Sequence, residues 1–504
     1  MEAPNAGADG VSRPDPARPS PGGPGGSRPS LCRRSPDAGG DRRRSPVCQS
    51  RIGSRAKTVS NSVQEWYCWA VALTYVERAA DALIRELLGE LPALLLVGPR
   101  ATGKTTTAAR HARTIVRLDR PAEAEAFRAD PDAALRGLEE PVLLDEWQSA
   151  PGVLGAVKRA VDVDSRPGRY LLTGSVRADL DAATWPGTGL VRVPIYGMTV
   201  AELHGRSTTP LFDRLARREE PGVAPDTPDL RGYVELALEG GFPEAALTLT
   251  DRTRSRWLES YVDQLLTRDA ATIDGPRDPA RLRRYLEAYA LNSAGVVEDA
   301  TLIDVSGLNR KTANAYERLL ENLLVVERTP PWTSSRLQRL VRSSKRYLID
   351  PALLAGILRI DVAGVMRDGN LLGRTLETFV AAQLRATTAV AESRPRLFHL
   401  RQAQGRHEID LVAEQAEGIF GIEVMATAAP NADAARHLCW LRDRIGPRFV
   451  KGLILHTGPR VYELADRVLA VPISTLWLTF DSWLVFHRLR CSDCLPTPLH
   501  AIEM

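Results

Sequence analysis

The sequence of 504 residues predicts an α/β fold with a parallel sheet, and three short stretches carry this prediction. Apolar runs begin at Ala93, Val142 and Tyr170, and each run leads into glycine, hydroxyl or acidic residues. Helical patterns separate the runs, which is the alternation typical of parallel sheets. Because ligands bind beyond the carboxyl ends of parallel strands, the polar residues after each run are the first candidates for a site.

The first run leads into a glycine-rich loop. Residues 98–105 read GPRATGKT, which fits the phosphate-binding pattern G-x-x-x-x-G-K-[ST]. Glycines let backbone N–H groups wrap phosphates, and the start of the following helix adds partial positive charge. The pattern predicts that Lys104 binds the β- and γ-phosphates of ATP and that Thr105 holds Mg²⁺. The predicted nucleotide-binding residues of this loop are Gly98, Pro99, Arg100, Ala101, Thr102, Gly103, Lys104, Thr105 and Thr106.

The second and third runs add polar residues at the same predicted edge of the sheet. The segment PVLLDEWQ places Asp145 and Glu146 after a buried strand. We expect Asp145 to bind Mg²⁺, directly or through water, and Glu146 to orient and deprotonate the attacking water. The alternative is a solvated acidic pair. The third run, YLLTGS, ends at Ser175, a candidate contact for the γ-phosphate or the attacking water.

Charge and cysteine content limit the kinds of partner. The formal net charge is +4, but residues 1–60 hold 11 Lys and Arg against 5 Asp and Glu, so the remainder carries about −2. A nucleic-acid site must therefore be a local patch. The six cysteines are scattered, and the N-terminus has no apolar leader. These features predict a cytoplasmic protein without a membrane partner.

Residues 296–326 look like a winged helix-turn-helix. The apolar pattern predicts one helix over Ala300–Val305, a four-residue turn, and a second helix over residues 311–321. The cations expected on the exposed face of the second helix are Arg310, Lys311 and Arg318. This helix can enter the major groove of DNA, or it can serve as an interdomain spacer.

The order of these motifs resembles the prokaryotic AAA-type ATPases that carry a C-terminal domain labelled DUF4143. The resemblance covers roughly residues 75–477 and includes GPRATGKTTT, VLLDEWQ, YLLTGS, GGFPEA, YVDQLLTRDA, KRYLIDPALLAGIL, HEIDLV and GIEVMAT. It implies a P-loop NTPase core of AAA type with a helical lid, a winged-helix segment, and a C-terminal α/β domain like the PD-(D/E)XK nucleases. The expected organisation is a disordered Pro/Gly/Arg-rich tail (1–62), the ATPase core (63–205), the lid (206–295), the winged-helix-like segment (296–368), the nuclease-like domain (369–477) and a C-terminal tail (478–504).

The sequence departs from the family pattern in two places. In the nuclease-like domain, Asp410 and Glu423 match the carboxylates that hold Mg²⁺, and Glu377 is a third acid on a helix. The lysine position holds Met425, which has no charge, so we interpret the metal site as vestigial and the domain as catalytically dead. In the ATPase half an arginine of the family pattern is missing at Gly189-Leu190, and the remaining candidates are Arg177 and Arg192.

The resulting hypothesis is an ATP-binding, ATP-hydrolysing AAA-type protein that couples nucleotide state to a winged-helix and nuclease-like module. Its expected ligands are ATP and Mg²⁺, with DNA and a second copy of the chain as further candidate partners. Two alternatives stay open. One is a DNA-binding regulator or scaffold that binds ATP without turnover, and the other is an ATP-regulated nuclease.

Overall fold

The structure is a computed structural model. It describes residues 75–175, 190–224, 226–270, 278–296, 299–333, 343–402 and 406–477. The predicted tails at 1–62 and 478–504 lie outside these residues, as do Arg177 and Gly189.

The N-terminal part contains a five-stranded sheet in which all neighbouring strands are parallel. Its strands are β1 (Ala93–Val97), β2 (Thr114–Arg117), β3 (Val142–Asp145), β4 (Tyr170–Gly174) and β5 (Leu190–Pro194). The helices around it are α1 (Ala79–Glu90), α2 (Lys104–Ala109), α3 (Pro121–Ala129), α4 (Pro131–Leu135) and α5 (Gly152–Val163). The strand order is β2-β3-β4-β1-β5, so β4 lies between the strand before the glycine-rich loop and the strand before the acidic pair.

Both faces of this sheet are buried, which explains why its strands read as continuous apolar runs. Along β1, Ala93 and Leu95 pack in one apolar cluster, while Leu94 and Leu96 pack in another on the opposite face. All four residues are fully buried. The three strands predicted from apolar runs are confirmed. Because the strands are parallel, β1, β3 and β4 end at the same edge of the sheet.

A helical region follows the sheet. It contains α6 (Val200–Leu203), α7 (Leu211–Ala216), α8 (Leu230–Glu239), α9 (Pro243–Thr248), α10 (Asp251–Gln264), a π-helical turn (Leu265–Asp269) and α11 (Pro279–Leu291). Side chains cap three of these helices. Thr199 accepts from the backbone of Glu202, and Asp229 accepts from that of Gly232. Asp278 accepts from the backbone of Ala280 and Arg281. The sequence pattern predicts helices over Arg254–Asp269 and Pro279–Asn292, and both are confirmed with ends shifted by about one turn or less.

Two helices and a hairpin come next. They are α12 (Asp299–Ser306), α13 (Arg310–Asn322), β6 (Val326–Thr329) and β7 (Lys345–Leu348), with β6 and β7 antiparallel. Asn309 caps α13 by accepting from the backbone N–H of Thr312, so the predicted turn ends where the sequence placed it. Two short helices, α14 (Leu353–Leu358) and α15 (Val362–Arg367), lead into the C-terminal part.

The C-terminal part is a mixed six-stranded sheet preceded by the long helix α16 (Gly369–Thr388). The strands are β8 (Arg396–Arg401), β9 (Glu408–Gln415), β10 (Gly418–Met425), β11 (Phe449–His456), β12 (Tyr462–Ala465) and β13 (Val468–Pro472), in the order β12-β13-β11-β10-β9-β8. One further helix, α17, covers Arg436–Ile445. Apolar runs in the sequence predict four of these strands, β8 to β11, and both helices. They do not predict β12 and β13, because both runs are short and β13 ends at Pro472.

The helical region and the C-terminal sheet share one apolar core. The cluster runs from Val200 on α6 to Trp477, and it includes Leu411 and Phe420 of the C-terminal sheet. Polar contacts join the same parts: Asp213 on α7 accepts from the backbone N–H groups of Glu392 and Ser393. The C-terminal domain is therefore packed against the helices that follow the N-terminal sheet.

Helical spacing in the sequence predicts helices over Glu65–Leu88 and Glu123–Leu138, and the structure corrects both predictions. The helix predicted over 65–88 begins at Ala79 in the part of the chain that the structure describes, after an N-cap at Arg78. The helix predicted over 123–138 is two helices, α3 and α4, because Asp130 precedes Pro131 and takes an extended conformation. Among the described residues, no helix combines the length and the apolar character that crossing a membrane would require.

Candidate nucleotide site

The loop between β1 and α2 has a backbone that requires glycine at two positions. A Cβ atom at Gly98 would lie 1.9 Å from the carbonyl oxygen of Ile195, which no side chain can tolerate. Gly103 has φ of 86°, in the left-handed region that favours glycine, and it forms the N-cap of α2. The loop therefore turns tightly and presents the first N–H groups of α2 beyond the sheet edge.

Lys104 is buried beneath this loop. Its Nζ donates to the carbonyl oxygen of Pro99 over 2.7 Å, and the residue is 4% exposed. Burial lowers the pKa of this ammonium to about 8, although the negative charges of Glu146 and Asp145 oppose the shift. An ammonium has three donors, and this contact uses one, so the group retains the capacity to bind phosphate oxygens.

Thr105 meets the acidic pair across the sheet edge. Its hydroxyl donates to Asp145 Oδ1 over 2.7 Å, and the hydroxyl of Thr173 donates to the same oxygen over 2.5 Å. Thr173 lies on β4, the strand between β1 and β3. It can therefore contact residues at the ends of both neighbouring strands. Sequence analysis missed Thr173, although the polar end of YLLTGS contains it. The same stretch contains Ser175, which is the residue that the sequence analysis predicts as a contact.

Glu146 is held by several contacts in a strained conformation. Its φ of 52° is unusual for a residue with a side chain, and its backbone N–H donates to Thr173 Oγ1 over 3.1 Å. Ser175 Oγ donates to Glu146 Oε1 over 3.0 Å, and Gln148 Nε2 donates to the other carboxylate oxygen. Ser175 is therefore brought next to the predicted base, and the carboxylate is fixed at the same edge as the glycine-rich loop.

Residues outside the predicted motifs support the loop. Arg78, which is 7% exposed, donates to the carbonyl oxygens of Thr102 and Tyr196 over 3.0 and 2.9 Å. From the helical region, Pro243 lies 3.4 Å from where a Cβ on Gly103 would be. Neither Arg78 nor Pro243 belongs to a local phosphate-binding pattern, although Pro243 lies in the GGFPEA stretch.

The turn before Pro243 is tied to a distant buried acid. Asp350 accepts from the backbone N–H of Gly241 over 2.8 Å and from that of Ala352 over 2.9 Å. A Cβ on Gly240 would lie 2.5 Å from an Asp350 oxygen, so this turn excludes other side chains. Burial raises the pKa of Asp350 to about 6, and the two N–H donors oppose that shift. Residues of the motifs GGFPEA and YLIDPA are thus hydrogen-bonded to each other beside the loop.

A second cluster of charged residues lies in the C-terminal part. The Nζ of Lys345 on β7 lies 2.5 Å from Glu377 Oε1 and 2.9 Å from Asp410 Oδ1. Tyr347 donates its hydroxyl to Glu377 over 2.6 Å. Burial alone would lower the pKa of Lys345, but Asp410 and Glu377 outweigh it and raise that pKa well above its ordinary value. The cluster therefore contains a permanently charged lysine that the sequence analysis did not assign to it.

Glu423 is the least satisfied member of this cluster. Its Oε1 is buried and has no hydrogen-bond partner among the described residues. Burial raises the pKa of Glu423 to about 9, and the charge of Asp410 adds to the shift. Asp410 itself accepts from the backbone N–H of Val424 over 2.9 Å, while Met425 packs against an apolar cluster. The predicted residues Asp410, Glu423 and Glu377 are thus neighbours, with Lys345 as their cation.

This arrangement does not form a metal centre by itself. Among the described residues, no group of three or more His, Cys, Asp or Glu side chains is arranged to hold a metal ion. The Lys345 ammonium occupies the space between Glu377 and Asp410 that a cation would otherwise fill. The residues present fit an internal ion-pair network better than a Mg²⁺ site.

Two groups of cations in the winged-helix-like segment differ in exposure. Arg310, Lys311 and Arg318 are exposed on α13, as predicted. Lys345 and Arg346, which end a basic stretch in the sequence, point inward instead: Arg346 Nε donates to Glu317 Oε1 over 2.7 Å. The other arginines of that stretch, Arg336, Arg339 and Arg342, lie outside the described residues. Arg192 is exposed. It lines a cavity of about 230 Å³ that Gly98 and Pro99 also line.

Comparison with known proteins agrees with the order of these sites. Residues 90–204 match the family described as AAA domain, and residues 372–476 match a domain of unknown function, DUF4143. Residues 230–363 match another domain of unknown function, DUF8612, which spans the helices and hairpin between them. The chain therefore contains an AAA-type domain and a C-terminal DUF4143 domain, and the AAA match supports ATP binding.

The similar curated proteins come from mycobacteria. The uncharacterized proteins Rv2008c of Mycobacterium tuberculosis and Mb2031c of Mycobacterium bovis are each 28% identical over 406 residues, which is 80% of this chain and 85% of theirs. A solved structure, the Walker-type ATPase PABY2304 of Pyrococcus abyssi, is 14% identical and covers 57% of this chain and 96% of its own, with a TM-score of 0.36. That overlap is too slight to define the fold.

Proposed function

We propose that this chain binds and hydrolyses ATP at the glycine-rich loop, and that nucleotide state sets the arrangement of the domains that follow. The observation that carries the proposal is the contact of Thr105 with Asp145 over 2.7 Å. It brings together, from separate elements, the hydroxyl and the carboxylate that hold Mg²⁺ in P-loop NTPases.

The residues around this contact fit a nucleotide with Mg²⁺. The glycines at 98 and 103 leave backbone N–H groups free to approach phosphates, and Lys104 retains donors for them. Thr105 and Asp145 would hold Mg²⁺, which neutralises charge that develops on the phosphate oxygens. The nucleotide would thus be bound by the loop backbone, Lys104 and the first turn of α2.

Glu146 is the proposed general base. Its two carboxylate oxygens each accept one donor, from Ser175 and from Gln148, and each oxygen has a second lone pair available for water. The strained backbone at φ of 52° supports a positioned functional group, because such conformations persist where the surroundings fix them. In this role Glu146 removes a proton from the attacking water, and Ser175 fixes the orientation of the carboxylate.

Contacts from the loop outward support the coupling of nucleotide state to the other domains. Pro243 abuts Gly103, and the Gly240-Gly241 turn before it is fixed by Asp350. Asp350 closely follows β7, the strand that contributes Lys345 to the C-terminal cluster. A displacement of the loop on nucleotide binding would therefore be passed to elements that also contact the C-terminal domain.

A DNA-binding regulator that binds ATP without turnover is the second candidate. The three exposed cations on α13, Arg310, Lys311 and Arg318, favour it, since α12 and α13 with the β6–β7 hairpin have the order of a winged helix. The inward orientation of Lys345 and Arg346 weakens it, because buried cations cannot contact phosphates.

An ATP-regulated nuclease is disfavoured by the same C-terminal cluster. Lys345 is already engaged by two carboxylates, and the described residues offer no group arranged for a metal. We propose instead that this cluster stabilises the domain. Incubation of supercoiled DNA with the protein and Mg²⁺ should give no cleavage, and cleavage that disappears in Asp410→Ala would restore the nuclease alternative.

Phosphate release from ATP, measured with and without duplex DNA at two salt concentrations, separates the first two candidates. We expect turnover without DNA that needs Mg²⁺. Binding of ATP with no turnover under any of these conditions would favour the regulator. If DNA stimulates turnover only at low salt, phosphate contacts by the α13 cations are the expected reason.

A further inference from the structure

The glycine-rich loop contains a second cation besides Lys104, and a helix outside the ATPase sheet holds it. Arg100 Nη1 lies 2.6 Å from Asp269 Oδ1. The Arg100 side chain is 43% exposed, whereas that of Asp269 is 16% exposed. Arg100 is therefore a loop residue whose guanidinium is accessible but tied to an acid in the helical region.

Arg100 and Lys104 are the two cations of the same loop. Lys104 Nζ donates over 2.7 Å to the carbonyl oxygen of Pro99, the residue directly before Arg100, so both cations belong to the same turn of the loop. Lys104 is expected at the β- and γ-phosphates, and Arg100 is at the turn of the loop that precedes it. Both cations can therefore approach the terminal phosphate of a bound nucleotide.

The partner acid lies at an unusual place in the helical region. Asp269 is the last residue of the π-helical turn Leu265–Asp269, and such turns occur frequently at functional sites. Two turns earlier on the same helix, Tyr261 donates its hydroxyl to the carbonyl oxygen of Arg100 over 3.4 Å. One helix therefore contacts both the backbone and the guanidinium of Arg100.

A terminal phosphate is a stronger partner for Arg100 than Asp269. A half-exposed ion pair contributes little, because water and salt screen it. A γ-phosphate offers more negative charge and several acceptor oxygens in a geometry that suits a guanidinium. ADP lacks this group, so only a triphosphate can compete with Asp269.

We propose that Arg100 is the residue that distinguishes ATP from ADP, and that it exchanges Asp269 for the γ-phosphate when ATP binds. The inference rests on the proposed function, because it requires a nucleotide in the loop. Arg100 then contributes to triphosphate affinity, and Asp269 opposes that affinity by competing for the same guanidinium. ATP binding releases the π-helical turn Leu265–Asp269 from the loop, whereas ADP leaves the ion pair in place.

The test is a titration of each variant with ADP and with a non-hydrolysable ATP analogue, both with Mg²⁺. Arg100→Ala should weaken binding of the analogue about tenfold, the loss of one charge-assisted contact, and change ADP affinity less than about threefold. Asp269→Asn should tighten the analogue about threefold and leave ADP unchanged, as expected for removal of a weak competitor. The double variant should match Arg100→Ala alone, because Asp269 acts only through Arg100.

A matched control comes from the same helix. Asp263 on α10 forms an ion pair with Arg283, away from the loop, so Asp263→Asn should leave the ratio of the two affinities unchanged. An equal effect of Arg100→Ala on both nucleotides would overturn the proposal, as would an Asp269→Asn ratio equal to that of Asp263→Asn. Should Arg100→Ala fail to fold, Asp269→Asn still decides the matter, because it leaves the loop sequence intact. If the parental protein binds neither nucleotide, the proposed function itself fails.

Discussion

Thr105 and Asp145 lie 40 positions apart in the sequence, and their side chains meet over 2.7 Å where β1 and β3 end. The intervening strand β4 contributes Thr173, which donates to the same Asp145 oxygen. This hydrogen-bonded group lies directly beside Lys104 in its glycine-rich loop. The proposed ATP hydrolysis depends on this arrangement.

Loss of the loop lysine should abolish tight ATP binding. Lys104→Ala removes the buried ammonium expected at the β- and γ-phosphates, so we expect ATP affinity to fall about a hundredfold or more. Titration calorimetry with MgATP measures the change. Lys158→Ala is the control, because Lys158 pairs only with Asp162 on the surface of α5 among the described residues. Unchanged affinity in Lys104→Ala would remove the loop from the site.

Thr173 should matter for turnover more than for binding. Thr173→Val keeps the shape of the side chain but removes the donor to Asp145 and the acceptor of the Glu146 N–H. We expect kcat to fall about tenfold, the loss of roughly one hydrogen bond in the transition state, with ATP affinity changed less than about threefold. Thr253→Val, on the α10 helix away from the site, is the matched control. Equal kcat values for the two variants would show that Thr173 only fills space.

Glu423 should make stability depend on pH. Its pKa is raised from 4.5 to about 9 by burial, so the folded state retains a proton that the unfolded state loses. Stability should therefore fall as pH rises from about 4.5 to about 9. Glu423→Gln removes this loss and should add about 2 kcal/mol to the free energy of unfolding at about pH 8.5, a discounted part of about 1.36 kcal/mol per pKa unit.

Urea unfolding at about pH 5.5 and about pH 8.5 measures this effect. The exposed Glu463 on β12 provides the control, and Glu463→Gln should leave both values close to the parental ones. A Glu423→Gln variant with the same pH dependence as the parental protein would mean that Glu423 is ionised in the folded state.

The ion pairs of Lys345 should be structural. Lys345→Met leaves the partly buried Glu377 and Asp410 without their buried cation, and breaking such a pair typically costs about 3 kcal/mol or more. Lys451→Met is the matched control, because Lys451 pairs with the exposed Glu220 and such pairs contribute about 1 kcal/mol or less. Urea unfolding compares the two variants at one pH. If both lose the same small amount, Lys345 is not an internal cation of the cluster.

The loop and the acidic pair could be predicted from the sequence because each is a local pattern on one strand end. Gly98, Lys104 and Asp145 are within a few residues of an apolar run that positions them. Lys345 could not be predicted in this way, because its partner Asp410 lies 65 positions further along the chain. The local pattern marks only the position of Met425, which holds no lysine.

The same limit applies to the contacts between domains. Asp269 contacts Arg100 across 169 positions, and Asp350 contacts Gly241 across 109 positions. The local residue pattern does not mark an acid as the partner of a distant loop. Which residues meet is decided by the packing of the π-helical turn after α10 and of the segment after β7. The element types were predictable from periodicity, whereas the contacts that join the elements required the fold.

The most direct test of ATP hydrolysis at this site is to measure ATP binding and phosphate release side by side in Glu146→Gln. The glutamine keeps the size of the side chain and can still contact Ser175, but it cannot remove a proton from water. The account predicts parental ATP affinity and a turnover rate lower by a factor of about 10² to 10⁴. Turnover at the parental rate in Glu146→Gln would contradict it.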